Sequence, residues 1–130
     1  MDRQDIIDHL RAFPYDSSEY WVITGGAMVM YGFREQTGDI DLGCTKEMAD
    51  QLEADGWLYK VQENGRRSFR YGEDIEAFEG WLEDTVQDVE GIPVISVKGL
   101  IEMKKSIGRE KDLRDIALIE DYLKKEHIDG

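Results

Sequence analysis

A chain of 130 residues with 41% apolar side chains carries enough material for one ordinary core, and a single domain over residues 1–130 is expected. Acidic residues outnumber basic ones 29 to 16, and the net charge of −13 repels polyanions and argues against nonspecific nucleic-acid binding. No run approaches the roughly 18–20 consecutive apolar residues that cross a bilayer, and MDRQDIIDHL is too charged for a secretory signal, so a cytoplasmic protein without a membrane partner is expected.

In chain order, residues 2–12 place Ile6, Ile7 and Leu10 at helical spacing, and Pro14 ends that helix. Tyr20-Trp21-Val22-Ile23-Thr24 is a β-branched and aromatic run that stops at Gly25-Gly26, the pattern of a buried strand entering a tight turn. A short helix over 27–31 follows, broken at Gly32. Asp39-Ile40-Asp41-Leu42 alternates polar and apolar side chains, which puts both aspartates on one face of a strand. Thr45 is an N-cap candidate for a helix to about Ala54, closed by Gly56.

Residues 57–61, 68–71 and 74–78 read as strands, with Asn64-Gly65 as a hairpin turn between the first two. Residues 80–91 are polar and irregular and read as a loop or a short helix. A last strand over 94–97 precedes helices over 98–107 and 111–125, the second with Leu113, Ile116, Leu123 and either Ile119 or Tyr122 as its core stripe. Alternating strands and helices predict an α/β (α+β) domain, a mixed sheet flanked by helices and followed by C-terminal helices. Cys44 has no metal-ligand spacing around it and reads as a small buried side chain. His9 and His127 fall in the terminal helices, away from the acids, and Trp21, Trp57 and Trp81 read as core or edge aromatics.

The chemistry concentrates in VITGGAMVMYGFREQTGDIDL, residues 22–42. Two glycines between a strand and a helix expose backbone N–H groups that suit a phosphate, although such pairs also serve as plain turns. Asp39 and Asp41 on one strand face repel each other, and a magnesium ion is one reason to hold them together; an exposed strand with alternating charge is the other. The Gly-Gly pair, a gap holding a short helix and a second glycine, and then Asp-x-Asp together resemble the signature of the nucleotidyltransferase fold superfamily. Its members include minimal, aminoglycoside and lincosamide nucleotidyltransferases and abortive-infection toxin–antitoxin components.

The resemblance implies that Gly25 and Gly26 contact a triphosphate, that Asp39 and Asp41 ligate Mg2+ (or Mn2+), and that a third acid on a later strand completes the metal site and acts as base. The alternation in Asp74-Ile75-Glu76 points to Glu76 for that role, with Asp74 as the fallback. The block VISVKGLIEMKKSIGREKDLRDIALIEDYL resembles the tail of the smaller bacterial members, where Lys104, Arg109 and Lys111 would reach the triphosphate or second substrate; capping and helix-end pairing explain these residues equally well. Arg66, Arg67 and Arg70 read as solvated guards of an edge strand.

The expected activity is transfer of a nucleoside monophosphate from a triphosphate such as ATP to a hydroxyl of a small molecule or protein, releasing pyrophosphate. The alternative is a noncatalytic nucleotide- or partner-binding member, such as a toxin–antitoxin component. The short chain leaves room for a homodimer or an antitoxin-type protein partner.

Overall fold

The computed structural model describes residues 1–80 and 85–129; Trp81 and the side chain of His127 lie outside the described residues. Helix α1 (Arg3–Arg11) starts at Asp2, whose carboxylate accepts from Asp5 N while the Asp5 carboxylate accepts from Asp2 N, and it buries Ile6, Ile7 and Leu10. Strand β1 (Tyr20–Ile23) is buried throughout and runs directly into helix α2 (Thr24–Met30). That helix begins earlier than its apolar residues suggest, so Gly25 and Gly26 lie in its first turn instead of preceding it.

Strand β2 (Ile40–Cys44) leads to helix α3 (Lys46–Ala54), capped by Thr45 Oγ1 accepting from Met48 N and closed by Gly56 at φ +87°. Strands β3 (Tyr59–Val61), β4 (Arg67–Tyr71) and β5 (Ile75–Glu79) form a meander. In its first turn Gly65 takes φ +82°, and Asn64 Oδ1 accepts from Arg66 N. Strands β6 (Val86–Val89) and β7 (Ile92–Ile95) form a hairpin where a loop or short helix was expected. Helices α4 (Val97–Ile107) and α5 (Glu110–Asp129) end the chain, packed on each other, with Ser96 capping α4 and Gly108 leaving it at φ +67°.

The sheet has the order β3-β4-β5-β2-β1-β7-β6 among the described residues. The β2–β5 and β1–β7 pairs are parallel and the others antiparallel, so the sheet is mixed as expected. Register partners project to the same side. One side carries Val22, Leu42, Ala77 and Phe69 in a row, all fully buried, and α3 packs there against β4 and β5. The other side carries the row Ile23, Asp41, Glu76 and Arg70.

Helix α5 faces inward through Asp112, Ile116 and Ile119, which corrects the expected stripe: Leu113 is 56% exposed and Leu123 37%. Its inward position at 112 is taken by a carboxylate, so an apolar periodicity count misplaces the face. Among the described residues no helix is long and apolar enough to cross a membrane.

Candidate active site

The parallel pairing of β2 with β5 sets Asp41 opposite Glu76. Opposed residues of neighbouring strands lie within side-chain reach, so two carboxylates share one patch of a half-buried surface. Burial lifts Asp41 above the ordinary carboxylate range; the Thr24 hydrogen bond and the Arg70 charge pull it back, and the Asp39 charge adds to the rise. Burial also lifts Glu76, the Asp41 charge lifts it further, and Arg70 opposes both. These shifts are the electrostatic mark of carboxylates crowded together on a partly dry surface.

Thr24 links this pair to the glycine turn. Its hydroxyl donates to Asp41 Oδ2 at 2.7 Å, and its backbone sits at φ +54°, a left-handed conformation that a β-branched residue rarely takes. Gly25 follows at once. A Cβ placed there would lie 2.7 Å from Thr37 Oγ1 and 3.1 Å from Arg34 Nη1, and one at Gly26 would lie 3.0 Å from Val22 Cγ1. A side chain at Gly25 would press on the Thr37 hydroxyl and the Arg34 guanidinium, and one at Gly26 on Val22, a crowding additional to any exposed N–H group.

Asp39 precedes β2 and is half exposed, and its Oδ2 lies 3.5 Å from Arg70 Nη1. Arg70 is the register partner of Glu76 and also donates to the carbonyl of Glu73. The three candidate acids thus share one side of the sheet, with an arginine among them. The donor set suits a hard divalent cation, because carboxylate oxygens are its preferred ligands and the mutual repulsion of Asp41 and Glu76 favours a bound positive charge. Among the described residues, however, no three His, Cys, Asp or Glu side chains are gathered tightly enough to hold a metal as they stand. Asp39 leans on Arg70 instead.

The carboxylate of Asp74, the fallback acid, lies 3.1 Å from His9 Nε2 and accepts its proton when that nitrogen carries one, and His9 Nδ1 contacts Asp5 O. His9 is thus beside an acid, contrary to expectation, because α1 sets it against the residue that precedes β5. Beyond Glu76 the same side of the sheet opens into a groove of about 580 Å3 lined by Leu58, Tyr59, Lys60, Ser68, Arg70 and Glu76.

The three cations of the tail diverge. Lys104 is 5% exposed, with Nζ 2.9 Å from Asp115 Oδ2 and 3.8 Å from Asp112 Oδ1. Arg109 Nε donates to Asp112 Oδ2 at 2.7 Å, and Lys111 is exposed at the start of α5. The arginines of the meander diverge as well, which corrects the reading of a solvated cluster. Arg67 is only 14% exposed and pairs with Glu79 and Asp50 under α3, Arg66 donates to Gly80 O, and Arg70 reaches the acid side. Strand alternation splits neighbours 67 and 70 between opposite faces.

Sequence reasoning missed Thr24, Arg34 and Arg70. Only Arg70 left a usable signal, since carrying the Asn64-Gly65 hairpin register through to the next strand sets it across from Glu76.

No protein-family model matches the sequence, and no curated protein matches it. Solved structures of nucleotidyltransferases are among those that share its architecture. A candidate nucleotidyltransferase from Thermotoga maritima superposes with a TM-score of 0.62 at 15% identity, covering 96% of each chain. The lincosamide antibiotic adenylyltransferase LnuA, in its lincomycin-bound form, superposes with a TM-score of 0.54 at 17% identity, covering 88% of this chain and 92% of LnuA.

Proposed function

On a chain built on the nucleotidyltransferase fold, we propose that the carboxylate side of the sheet transfers a nucleoside monophosphate from a nucleoside triphosphate to a hydroxyl, with release of pyrophosphate. The observation that carries this reading is the register of Asp41 with Glu76, joined through Thr24 to the Gly25-Gly26 turn.

In this reading the triphosphate lies along the turn at Gly25, while Gly26 is buried against Val22. Asp39 and Asp41 would hold Mg2+ or Mn2+, with Glu76 completing the set, and Asp39 would exchange Arg70 for the cation. The bound metal would neutralise the triphosphate and favour departure of pyrophosphate. The acceptor enters by the groove beside Lys60 and Ser68, so that its hydroxyl meets Glu76. Glu76, made a stronger base by burial and by the Asp41 charge, takes the hydroxyl proton as the acceptor oxygen bonds to the α-phosphorus. The bond from the α-phosphorus to the bridging oxygen breaks, and that oxygen leaves with pyrophosphate. Asp41, held by the Thr24 hydroxyl, stays fixed throughout. Lys104 acts from below the surface by fixing Asp115, while Arg109 and Lys111 reach the triphosphate or the second substrate.

The pairing of Asp39 with Arg70 favours a second reading, a noncatalytic member that binds nucleotide or a protein partner. Pyrophosphate release measured over four nucleoside triphosphates and a panel of hydroxyl acceptors separates the two. Release that falls at least about 100-fold in Asp41→Asn and in Glu76→Gln supports the enzyme. Nucleotide binding without release, indifferent to Glu76→Gln, supports the binding module.

A further inference from the structure

The cation that borders the glycine turn is Arg34, from the loop between α2 and β2. Its Nη1 and Thr37 Oγ1 occupy the space that a side chain at residue 25 would need. Its Nη2 donates to both carboxylate oxygens of Asp115, at 3.1 and 3.2 Å. Asp115 is itself fixed by Lys104, whose ammonium lies 2.9 Å from Oδ2. The guanidinium is therefore held by one nitrogen while the other is presented over Gly25. Among the described residues that second nitrogen has no hydrogen-bond partner.

Charge and position point the same way. Arg34, Lys104 and Arg109 set three positive charges against Asp112 and Asp115, a local excess of one in a chain whose net charge is −13. Lys104 is spent below the surface, whereas Arg34 is 34% exposed. Across the same turn, Thr24 donates to Asp41. An anion held at Asp41 through a metal and extending past Gly25 meets Arg34 next.

We propose that Arg34, with the Thr37 hydroxyl beside it, binds the β- and γ-phosphates of the nucleoside triphosphate, and that Asp115 and Lys104 are positioning residues that fix the guanidinium plane. This rests on the nucleotidyltransferase reading and names the groups that grip the leaving part of its substrate. Arginine suits the task because its planar fork serves a carboxylate on one nitrogen and a phosphate on the other, which a lysine ammonium cannot do with the same geometry. Anchoring by Asp115 removes much of the rotamer freedom that a free arginine would lose on binding. The same crowding bears on Gly25, since a Cβ there would press on the Thr37 hydroxyl and on the guanidinium.

The test is calorimetric titration of α,β-methylene-ATP, of AMP and of inorganic tripolyphosphate, with magnesium, into the wild type, Arg34→Gln, Arg34→Lys and Asp115→Asn. Arg34→Gln is expected to weaken the ATP analogue and tripolyphosphate about 10- to 100-fold and to leave AMP unchanged. Arg34→Lys, which keeps the charge beside Asp115 and so guards against misfolding, is expected to fall between. Asp115→Asn, with folding checked by circular dichroism, is expected to weaken the triphosphates less than Arg34→Gln does. Triphosphate affinity within about twofold of wild type in Arg34→Gln overturns the proposal. Wild-type protein that binds tripolyphosphate through Arg34 but no nucleotide overturns the nucleotidyltransferase reading and leaves the phosphate site standing; binding of neither overturns both.

Discussion

Thr24 holds Asp41: the hydroxyl donates to Oδ2 at 2.7 Å from a backbone at φ +54°. A left-handed threonine costs on the order of 1–3 kcal/mol, so the turn stores strain where it aims a donor at a half-buried carboxylate. Thr24→Val keeps the branching and the strain and removes only the hydroxyl. Asp41 is then expected to titrate higher than in the wild type, because the contact that lowers it is gone. Carboxyl-detected NMR titration of metal-free protein measures this, and an unchanged Asp41 refutes the assignment.

Asp41→Asn removes a charge that raises Glu76, so Glu76 is expected to titrate lower in that variant. A carboxylic acid raised in the folded state keeps a proton that the unfolded chain releases. Such a group therefore erodes stability as pH rises from its ordinary value through the raised one. Relief of that repulsion is expected to raise the melting temperature of metal-free Asp41→Asn at pH 7 by about 2–4 °C. A fall would show that the carboxylate supports the fold.

Arg67 and Glu79 respond with the opposite sign. Hydrogen bonds from Arg67 hold Glu79 below the usual carboxylate range, so this pair contributes stability above the ordinary glutamate value and loses it as pH falls through the lowered one. Arg67→Gln leaves the 13%-exposed Glu79 without its cation and is expected to cost about 2–3 kcal/mol by denaturant unfolding at pH 7, and less at pH 3.

Gly25→Ala forces a methyl against Thr37 Oγ1 and Arg34 Nη1 and is expected to destabilise by about 1–3 kcal/mol. Adding Thr37→Ala removes the nearer clash and is expected to recover part of the loss. A double-mutant cycle with a coupling of about 1 kcal/mol or more measures it, and strict additivity contradicts the contact.

Sequence made the strands and helices around the site legible where side-chain period and turn chemistry agreed. The entirely buried Tyr20–Ile23, the Thr45 cap and the Asn64-Gly65 turn are such places. The β6–β7 hairpin was illegible because it turns through Glu90 at φ +54° and Gly91 at φ +83°, where a glutamate gives no warning, and because β6 is an exposed edge with no buried face to alternate. The pairing of Asp41 with Glu76 depends on a parallel contact between strands 30 residues apart, which no local pattern encodes. Arg34 was hidden for a related reason, since its anchor Asp115 lies far along the chain in α5.

Calorimetric titration of α,β-methylene-ATP into the wild type and Asp41→Asn, each with and without magnesium, tests whether Asp41 holds a metal-bound triphosphate. Saturable binding by the wild type that requires magnesium, and that Asp41→Asn loses by about 100-fold or more, is the expected result. Binding that ignores both magnesium and Asp41, or no binding of the ATP, GTP, CTP or UTP analogues by the wild type, would contradict it.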